Sequence, residues 1–304
     1  MNRISIRGRR GVAVAVMVLA SLFVVSGCGS APTTSPAATD IQGGQASSPG
    51  TGPAAAGSEW GHIHNLTVDG ERLLLGTHEG LWQQSPGQPA QLLSNPPFDV
   101  MGFALSQQHM LASGHPGEGQ DLPADLGLRQ STDGGTTWAG VSLEAQVDFH
   151  RLRAARAVVL GLSAHDGRLL RSTDAGRTWT DLGTPPLFDL ALDPADPDQV
   201  VGTTEQGPVV STDGGATFAP ITGAPLLTLL AWTPKALYGV MSDGVVHTST
   251  DGGSTWHVTG NVQGQPTALA ADADRIVVLA GDMIVESTDG GMTFSPRITG
   301  IAEH

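Results

Sequence analysis

Histidines recur at equivalent places in the first half of the chain, and the neutral imidazole is the commonest metal ligand among side chains. Six of the ten histidines are involved. The start of an apolar run carries His62, His64 and His150. The polar turn after the next such run carries His78, His115 and His165. We expect these six side chains to form a site for a metal ion or another ligand.

Met101 takes the same position in its apolar run as His64 and His150 take in theirs. Two imidazoles with a thioether suit copper, whereas three imidazoles suit zinc. We expect the inner ligands to be His64, His150 and Met101. The outer ligands are expected to be His78 and His115. The alternative is that these histidines are turn and rim residues and that Met101 fills the core.

Two carboxylates, Asp99 and Asp148, precede the runs that contain Met101 and His150. Beside metal ligands they would act as hydrogen-bond acceptors that orient the imidazoles. Glycoside hydrolysis instead needs two carboxylates that face each other across the scissile bond. Asp99 and Asp148 are therefore also the catalytic candidates if the protein is a glycosidase.

A repeated eight-residue phrase indicates the architecture that positions these residues. It occurs five times, with starts 41, 39, 38 and 38 residues apart: STDGGTTW from Ser131, STDAGRTW from Ser172, STDGGATF from Ser211, STDGGSTW from Ser249 and STDGGMTF from Ser287. A period near 40 with short β-rich runs is typical of a propeller built from four-stranded blades. The sequence predicts an all-β propeller with six blades, and seven blades are the alternative.

The aspartate of each phrase can accept hydrogen bonds from nearby backbone amides, while its glycine tolerates positive φ. Each phrase therefore predicts a tight turn between the third and fourth strands of a blade, and the Trp or Phe at its end should pack between neighbouring blades. The aspartates concerned are Asp133, Asp174, Asp213, Asp251 and Asp289. We expect a structural role for them, with calcium binding or catalysis as the alternative.

The pattern S-x-D-x-G-x-T-W/F resembles the Asp-box, or BNR repeat, of sialidases and of many non-enzymatic propellers. The segments His62–Leu66, Gly76–Leu81 and Ser113–Gly117 resemble bacterial exported propellers that carry a glycosyl hydrolase label. A second relative is the photosystem II assembly propeller, a binding protein. The sialidase pattern itself is not met, because the only tyrosine, Tyr238, has no nearby glutamate and no Arg-Ile-Pro sequence occurs. The resemblance implies a propeller and leaves ligand binding and glycoside hydrolysis open.

Six apolar runs predict the innermost strands: 63–68, 100–105, 149–154, 187–192, 227–232 and 267–271. Strands of an antiparallel blade alternate in direction, so the start of each innermost strand lies on the same face as the turn between the second and third strands. The histidines should thus share one face, opposite the repeated aspartate turns. The long irregular segment 114–127 is expected to be either a lid or rim over that face or disordered.

The first 58 residues predict export and tethering. Residues 1–28 read as a signal peptide, with four arginines followed by a short apolar core, and Val25–Cys28 resembles the lipobox of bacterial lipoproteins. Cys28 is the expected lipidation site, with an unmodified cysteine after a plain secretory signal as the alternative. Residues 29–58, rich in Ser, Pro, Ala and Gly, predict a disordered tether, and residues 59–304 the propeller. The protein is expected outside the cytoplasm, anchored to the membrane.

Charge narrows the choice of partners. Without the four signal-peptide arginines, 11 of the 15 basic residues remain against 29 acidic ones, a net charge near −18. Such a surface repels nucleic acid, so no nucleic-acid partner is expected, and a protein or a glycan remains as a partner besides the membrane. The other four histidines are expected to be solvent-exposed: His109, His247, His257 and His304.

Overall fold

The computed structural model describes residues 54–55, 60–106 and 109–301 of the chain. They lie within one compact unit, Ser47–His304. No helix occurs among these residues, and the strands form six antiparallel four-stranded sheets, the last of which carries one additional strand. The sheets are the blades of a six-bladed β-propeller, so the predicted fold class and blade count are confirmed.

Blades 1 to 3 supply the residues of the histidine-rich face. Blade 1 contains β2 (Ile63–Asp69), β3 (Arg72–Thr77), β4 (Gly80–Gln84) and β5 (Gln91–Leu92). Blade 2 contains β6 (Asp99–Leu105), β7 (Met110–His115), β8 (Leu128–Ser131) and β9 (Ala139–Ser142). Blade 3 contains β10 (Phe149–Ala155), β11 (Val158–Ser163), β12 (Leu169–Ser172) and β13 (Thr180–Asp181).

Blades 4 to 6 complete the ring. Blade 4 contains β14 (Asp189–Leu192), β15 (Val200–Thr204), β16 (Gly207–Ser211) and β17 (Ala219–Pro220). Blade 5 contains β18 (Leu227–Trp232), β19 (Leu237–Met241), β20 (Val245–Ser249) and β21 (His257–Asn261). Blade 6 contains β22 (Pro266–Ala271), β23 (Ile276–Ala280), β24 (Met283–Ser287) and β25 (Ser295–Thr299). The innermost strands differ from their predicted bounds by at most two residues.

Neighbouring blades bury their apolar faces against each other. Six buried clusters occur, and each joins the facing residues of two adjacent blades. The aromatic residue at the end of each repeated phrase packs on one of them; the Trp138 ring, for example, lies 5.5 Å from the Phe98 ring in an edge-on arrangement. Burial of this apolar surface stabilises the ring by about 25 cal/mol per Å². The predicted packing of the aromatic residues between blades is confirmed.

The ring closes where blade 6 meets blade 1. Trp60 and Trp82 pack there with Ile298 and Ile301. The buried Arg297 on β25 donates from Nε to Gln84 Oε1 at 2.8 Å and from Nη2 to the Glu71 carbonyl at 2.6 Å, and it pairs with Glu286 on its own blade. Blade 6 keeps four strands of its own, so side-chain packing closes the ring, as predicted.

A short N-terminal strand, β1 (Ala54–Ala55), pairs in parallel with β25 on the outer edge of blade 6. The prediction of a disordered tether over residues 29–58 is therefore wrong for these two residues, whose backbone adds to the sheet. Residues 1–53, which include the predicted signal peptide and Cys28, lie outside the described part of the chain.

In each repeated turn, hydrogen bonds from within the turn satisfy the aspartate carboxylate. In the turn of blade 4, Asp213 Oδ1 accepts hydrogen bonds from Ser211 Oγ and the Thr217 backbone nitrogen, and Asp213 Oδ2 accepts one from Thr217 Oγ1 at 2.6 Å. The Thr217 hydroxyl and amide, with the Ser211 hydroxyl, lower the pKa of Asp213 to about 2. The other four turns repeat these contacts. This geometry supports the structural role expected for the five aspartates.

Removing the guanidinium of Arg297 should destabilise the ring. We expect Arg297→Ala to lower the free energy of unfolding by about 3 kcal/mol, because Gln84 Oε1 and the Glu71 and Gln84 carbonyls lose their buried donor and Glu286 keeps only Arg275 as a partner. The measurement is equilibrium urea unfolding. Lys235→Ala, which removes a cation from an exposed pair with Asp274, is the matched control and should change little. Equal losses in the two variants would contradict a closing role for Arg297.

Candidate functional site

The histidines and the aspartate turns lie at opposite ends of the strands. His64 and His150 stand near the starts of β2 and β10, while His78, His115 and His165 lie at the ends of second strands. The repeated aspartate turns connect third to fourth strands, which places them at the other end. We call the end with the histidines of blades 1 to 3 the histidine rim.

Two close contacts hold blade 2 against blade 3 at this rim. The Phe149 amide donates to Ser113 Oγ at 2.9 Å, which ties the start of β10 to the end of β7. Gly102 permits β6 to approach, because a Cβ there would lie 2.2 Å from the Phe149 carbonyl oxygen. These contacts bring the residues around Phe149 next to His115.

The first cluster surrounds Asp148, whose side chain is only 2% exposed. Asp148 Oδ2 lies 2.7 Å from His150 Nε2 and 3.4 Å from His115 Nε2. Its other oxygen, Oδ1, is buried and has no hydrogen-bond partner among the described residues. Because an ionised carboxylate can accept several hydrogen bonds, Asp148 retains capacity to bind a cation.

The tautomer of His115 follows from its second contact. His115 Nδ1 lies 2.9 Å from the Ala124 carbonyl oxygen, which can only accept, so Nδ1 carries the proton. In a neutral imidazole the other nitrogen, Nε2, then presents a lone pair, and here it faces Asp148 Oδ2. Two acceptors thus face each other at 3.4 Å, and a cation bound between them would remove their repulsion.

The second cluster is a chain of imidazoles that ends on Asp99. His62 Nδ1 lies 3.3 Å from His64 Nδ1, and His64 Nε2 lies 3.3 Å from His78 Nδ1. His78 Nδ1 is in turn 3.0 Å from Asp99 Oδ2, and His64 Nε2 is 3.3 Å from Asp99 Oδ1. Burial opposes ionisation of Asp99, yet the hydrogen bonds from His64 and His78 outweigh it and lower the pKa of this carboxyl.

The segment 114–127 is ordered and packs along the histidine rim. Leu126 is buried in the cluster between blades 1 and 2, and its amide donates to the Gly114 carbonyl at 2.9 Å. Asp125 lies 3.1 Å from His165 Nε2 and 4.0 Å from His115 Nδ1. The segment thus forms a wall along the rim, as one of the alternatives predicted. Asp125 is a site residue that the sequence analysis missed, since nothing in the spacing of this loop distinguishes it.

The predicted inner set of His64, Met101 and His150 divides between the two clusters. His64 groups with His62 and His78, whereas His150 groups with His115 and Asp148. For Met101 the structure gives a backbone contact, in which its carbonyl accepts a hydrogen bond from Asn65 Nδ2 at 3.0 Å. The thioether of Met101 as a ligand stays a prediction.

A further ion pair at the axis was also missed. Asp189, which starts β14 and is buried, accepts from Arg153 Nη2 at 2.8 Å and lies 3.4 Å from Arg151 Nε. Its Oδ2 also accepts from the Leu230 amide of blade 5. The alternation of side chains along β10 places Arg151 and Arg153 on one face of the sheet, but only the ring brings blade 4 beside them.

The remaining histidines differ in their environments. His257 is exposed, as predicted, and His304 lies outside the described residues. The prediction for His247 is wrong, since this residue on β20 is 8% exposed. Burial within blade 5 lowers the pKa of its imidazole. The prediction for His109 is also wrong, since this residue is half-buried and its Nδ1 is shielded from solvent.

Comparisons with known proteins show the fold. No family model matches the chain, and no curated protein matches it. Solved structures that resemble it include a GH74 xyloglucanase from Xanthomonas campestris, with 16% identity, coverage of 80% of this chain and 46% of the enzyme, and a TM-score of 0.54. The chain therefore spans less than half of that enzyme's length.

Two other similar structures are not described as hydrolases. A chain of the nidogen/laminin complex has 10% identity, coverage of 73% of this chain and 91% of its own, and a TM-score of 0.57. YCF48 bound to a D1 peptide has 17% identity, coverage of 80% of this chain and 87% of its own, and a TM-score of 0.49. Within the described part of the chain, no helix has the length and apolarity to cross a membrane.

Acid should destabilise the protein through His247. Because its pKa in the folded state lies below the ordinary value of 6.5, the unfolded chain binds the proton more readily. The contribution of His247 to stability is thus complete above about pH 6.5 and is lost as the pH falls toward the folded pKa. We expect His247→Gln to make the free energy of unfolding, measured in urea from about pH 7.5 to about pH 5, less dependent on pH.

His257→Gln, the same change at an exposed residue of the same blade, should leave the pH dependence as in the natural chain. Equal slopes for His247→Gln and the natural protein would show that the buried imidazole is not a source of acid sensitivity.

Proposed function

We propose that this protein is an extracytoplasmic β-propeller, tethered by a lipid on Cys28, that binds a zinc ion at His115, Asp148 and His150. The observation that carries the proposal is the lone pair of His115 Nε2 directed at Asp148 Oδ2, 3.4 Å away. A cation between the two groups removes their repulsion. The alternative is an ordinary ion pair between Asp148 and a protonated His115.

The donor set suits zinc. Imidazole nitrogens and a carboxylate oxygen bind Zn²⁺ at about 2.0–2.2 Å, so tetrahedral ligands stand about 3.3 Å apart. The separation of His115 Nε2 from Asp148 Oδ2 fits this value, and His150, whose side chain is 43% exposed, can move outward from its 2.7 Å contact. The fourth position would be open to water or a ligand.

The surroundings of these residues also support a metal ion. A metal-bound histidine usually donates its second N–H to a carbonyl or carboxylate, which fixes the ring. His115 already does so to Ala124 in the wall formed by residues 114–127. Asp125, next along this wall, adds negative charge near His115 and His165.

The imidazole chain around Asp99 is a weaker candidate for the same ion. The donor atoms of His62, His64 and His78 can come within 4.8 Å of one another. The shortest contacts, however, use both nitrogens of His64, one toward His62 and one toward His78. A single ion can bind only one nitrogen of His64, so it could use only one of these two short contacts.

Glycoside hydrolysis is the alternative function, with Asp99 and Asp148 as the catalytic pair. Each of these carboxylates contacts two imidazoles on the histidine rim. The similarity to a xyloglucanase supports the fold alone, and no observation favours a glycan substrate over another ligand. Loss of activity toward a glycan panel in Asp148→Asn would favour the alternative.

Zinc titration of the metal-free protein, purified without a histidine tag, tests the proposed site. We expect one Zn²⁺ to bind per chain in isothermal titration calorimetry, and His115→Ala or His150→Ala to weaken binding by about 100-fold. His257→Ala is the matched control, because it removes an exposed imidazole on another blade, and it should bind zinc as the natural chain does.

A further variant tests which of the two clusters binds the zinc ion. His64→Ala should leave the zinc affinity unchanged if His115, Asp148 and His150 hold the ion. The proposal fails if zinc binds with undiminished affinity to His115→Ala and His150→Ala, or if the natural chain binds none.

Cell fractionation tests the proposed lipid tether at Cys28. In cells that process lipoproteins, Cys28→Ser should release the protein from the membrane fraction, because the thiol that would carry the lipid is gone. Fractionation followed by immunoblotting measures this release. Retention of the variant in the membrane fraction would contradict a lipid anchor at Cys28.

A further inference from the structure

Exposed carboxylates surround the histidine rim. Each of the six turns between a second and a third strand lies at this end of its blade and carries at least one of them: Glu79, Asp121, Asp166, Glu205, Asp243 and Asp282. The only arginine or lysine that the described chain has in these turns is Arg168, which pairs with Asp166 and Asp181. Within the described residues, the other five carboxylates have no salt bridge to an arginine or lysine.

The opposite end of the propeller differs in how its carboxylates are paired. The five repeated aspartates there accept hydrogen bonds within their own turns. Three further carboxylates pair with basic residues: Asp69 with Arg72, Asp198 with Arg171 and Asp274 with Lys235. The histidine rim therefore has less cationic charge to offset its carboxylates, and it attracts basic groups from solution.

Two large apolar side chains are also exposed at this rim. Phe188 directly precedes β14 and Leu226 directly precedes β18, and the two residues are 55% and 59% exposed. Phe188 is the only exposed phenylalanine, tyrosine or tryptophan in the described part of the chain. Exposed apolar side chains that occur together mark interaction sites, and aromatic residues are enriched in interfaces.

Buried neighbours fix the outward direction of both side chains. Leu187 and Leu227 are buried in the clusters of two successive blade interfaces, and successive side chains of an extended segment point to opposite sides. The chain is also held in the same way at both places. The Leu187 amide donates to the Pro185 carbonyl at 2.7 Å, and the Leu227 amide donates to the Pro225 carbonyl at 2.8 Å. A side chain that is held in this way loses little entropy when a partner binds.

Phe188 and Leu226 lie on either side of one of the acidic turns. The Phe188 amide donates to the Thr203 carbonyl at 2.9 Å. A Cβ on Gly207 would lie 3.6 Å from Leu226 Cδ2. The turn between these two contacts carries the exposed Glu205. We call Phe188, Glu205 and Leu226 the Phe188 patch.

Charge decides which kind of partner fits this patch. A second copy of the chain would bring the same carboxylates and be repelled, and anionic lipid would be repelled for the same reason. The strand β1 is parallel to β25, so it enters blade 6 from the end with the repeated aspartate turns, away from the patch. A basic segment of another protein is the partner that meets attraction here.

We propose that the Phe188 patch docks a basic segment of another protein that also carries large apolar side chains. An apolar side chain of the partner packs against Phe188 and Leu226, and a lysine or arginine pairs with Glu205. The proposal does not depend on the proposed zinc ion. The probe is the acetylated and amidated peptide Lys-Leu-Lys-Leu-Lys, and Lys-Ser-Lys-Ser-Lys is its counterpart with the same charge and no apolar side chains.

An NMR titration of the metal-free, full-length, isotope-labelled protein tests the site. We expect Lys-Leu-Lys-Leu-Lys to shift the backbone amide signals of Phe188, Glu205 and Leu226, and to bind at least about tenfold more tightly than Lys-Ser-Lys-Ser-Lys. Phe188→Ser combined with Leu226→Ser should weaken binding of the first peptide by about tenfold. Glu205→Gln should weaken it by about threefold and make it less sensitive to salt.

Val258→Ser combined with Met292→Ser is the matched control. These residues are 66% and 64% exposed, but Val258 lies on the outer strand β21 and Met292 in a repeated aspartate turn. The control variant should bind the peptide as the natural chain does.

Equal binding of the two peptides, shifts located away from the Phe188 patch, or no binding would overturn the proposal. Dimers of the natural chain that Phe188→Ser abolishes, measured by analytical ultracentrifugation, would assign the patch to a second copy and overturn it as well. If the double variant at Phe188 and Leu226 does not fold, the comparison of the two peptides on the natural chain still decides.

Discussion

The structure depends on one constraint, which is that a four-stranded blade has two apolar faces and can bury them only against other blades. Six clusters of buried side chains meet this need, one at each interface of the ring. Five interfaces receive an aromatic residue from a repeated phrase, and the closing interface receives Trp60, Trp82 and the buried Arg297. Closure by side chains leaves every blade with its own four strands.

This packing also determines where polar groups can lie. The innermost strands begin at one rim, and there blades 2 and 3 carry carboxylates, Asp99 and Asp148, that the ring holds largely out of water. A carboxylate in such a place is stable only with partners, and imidazoles from the same and the neighbouring blade supply them. The site is therefore a consequence of blade contact, and its carboxylate is fixed more firmly than its exposed histidines.

Much of the fold was predictable because it is local. Alternating apolar runs gave the innermost strands, and the repeated phrase gave the turn that each of Asp133, Asp174, Asp213, Asp251 and Asp289 completes within its own segment. The shared rim of the histidines also followed from strand direction. The division into two clusters did not, because it depends on which side chains neighbouring blades bring into contact. Asp125, the buried His247 and the position of Arg153 on the axis depend on such contacts as well.

The central claim is that a cation belongs between His115 Nε2 and Asp148. Crystals of the protein grown with one equivalent of zinc, with diffraction recorded at the zinc absorption edge, test it most directly. The account predicts an anomalous peak about 2.0–2.2 Å from His115 Nε2, His150 Nε2 and an oxygen of Asp148. It is contradicted if the anomalous map has no peak at this position while His115 and Asp148 remain in direct contact.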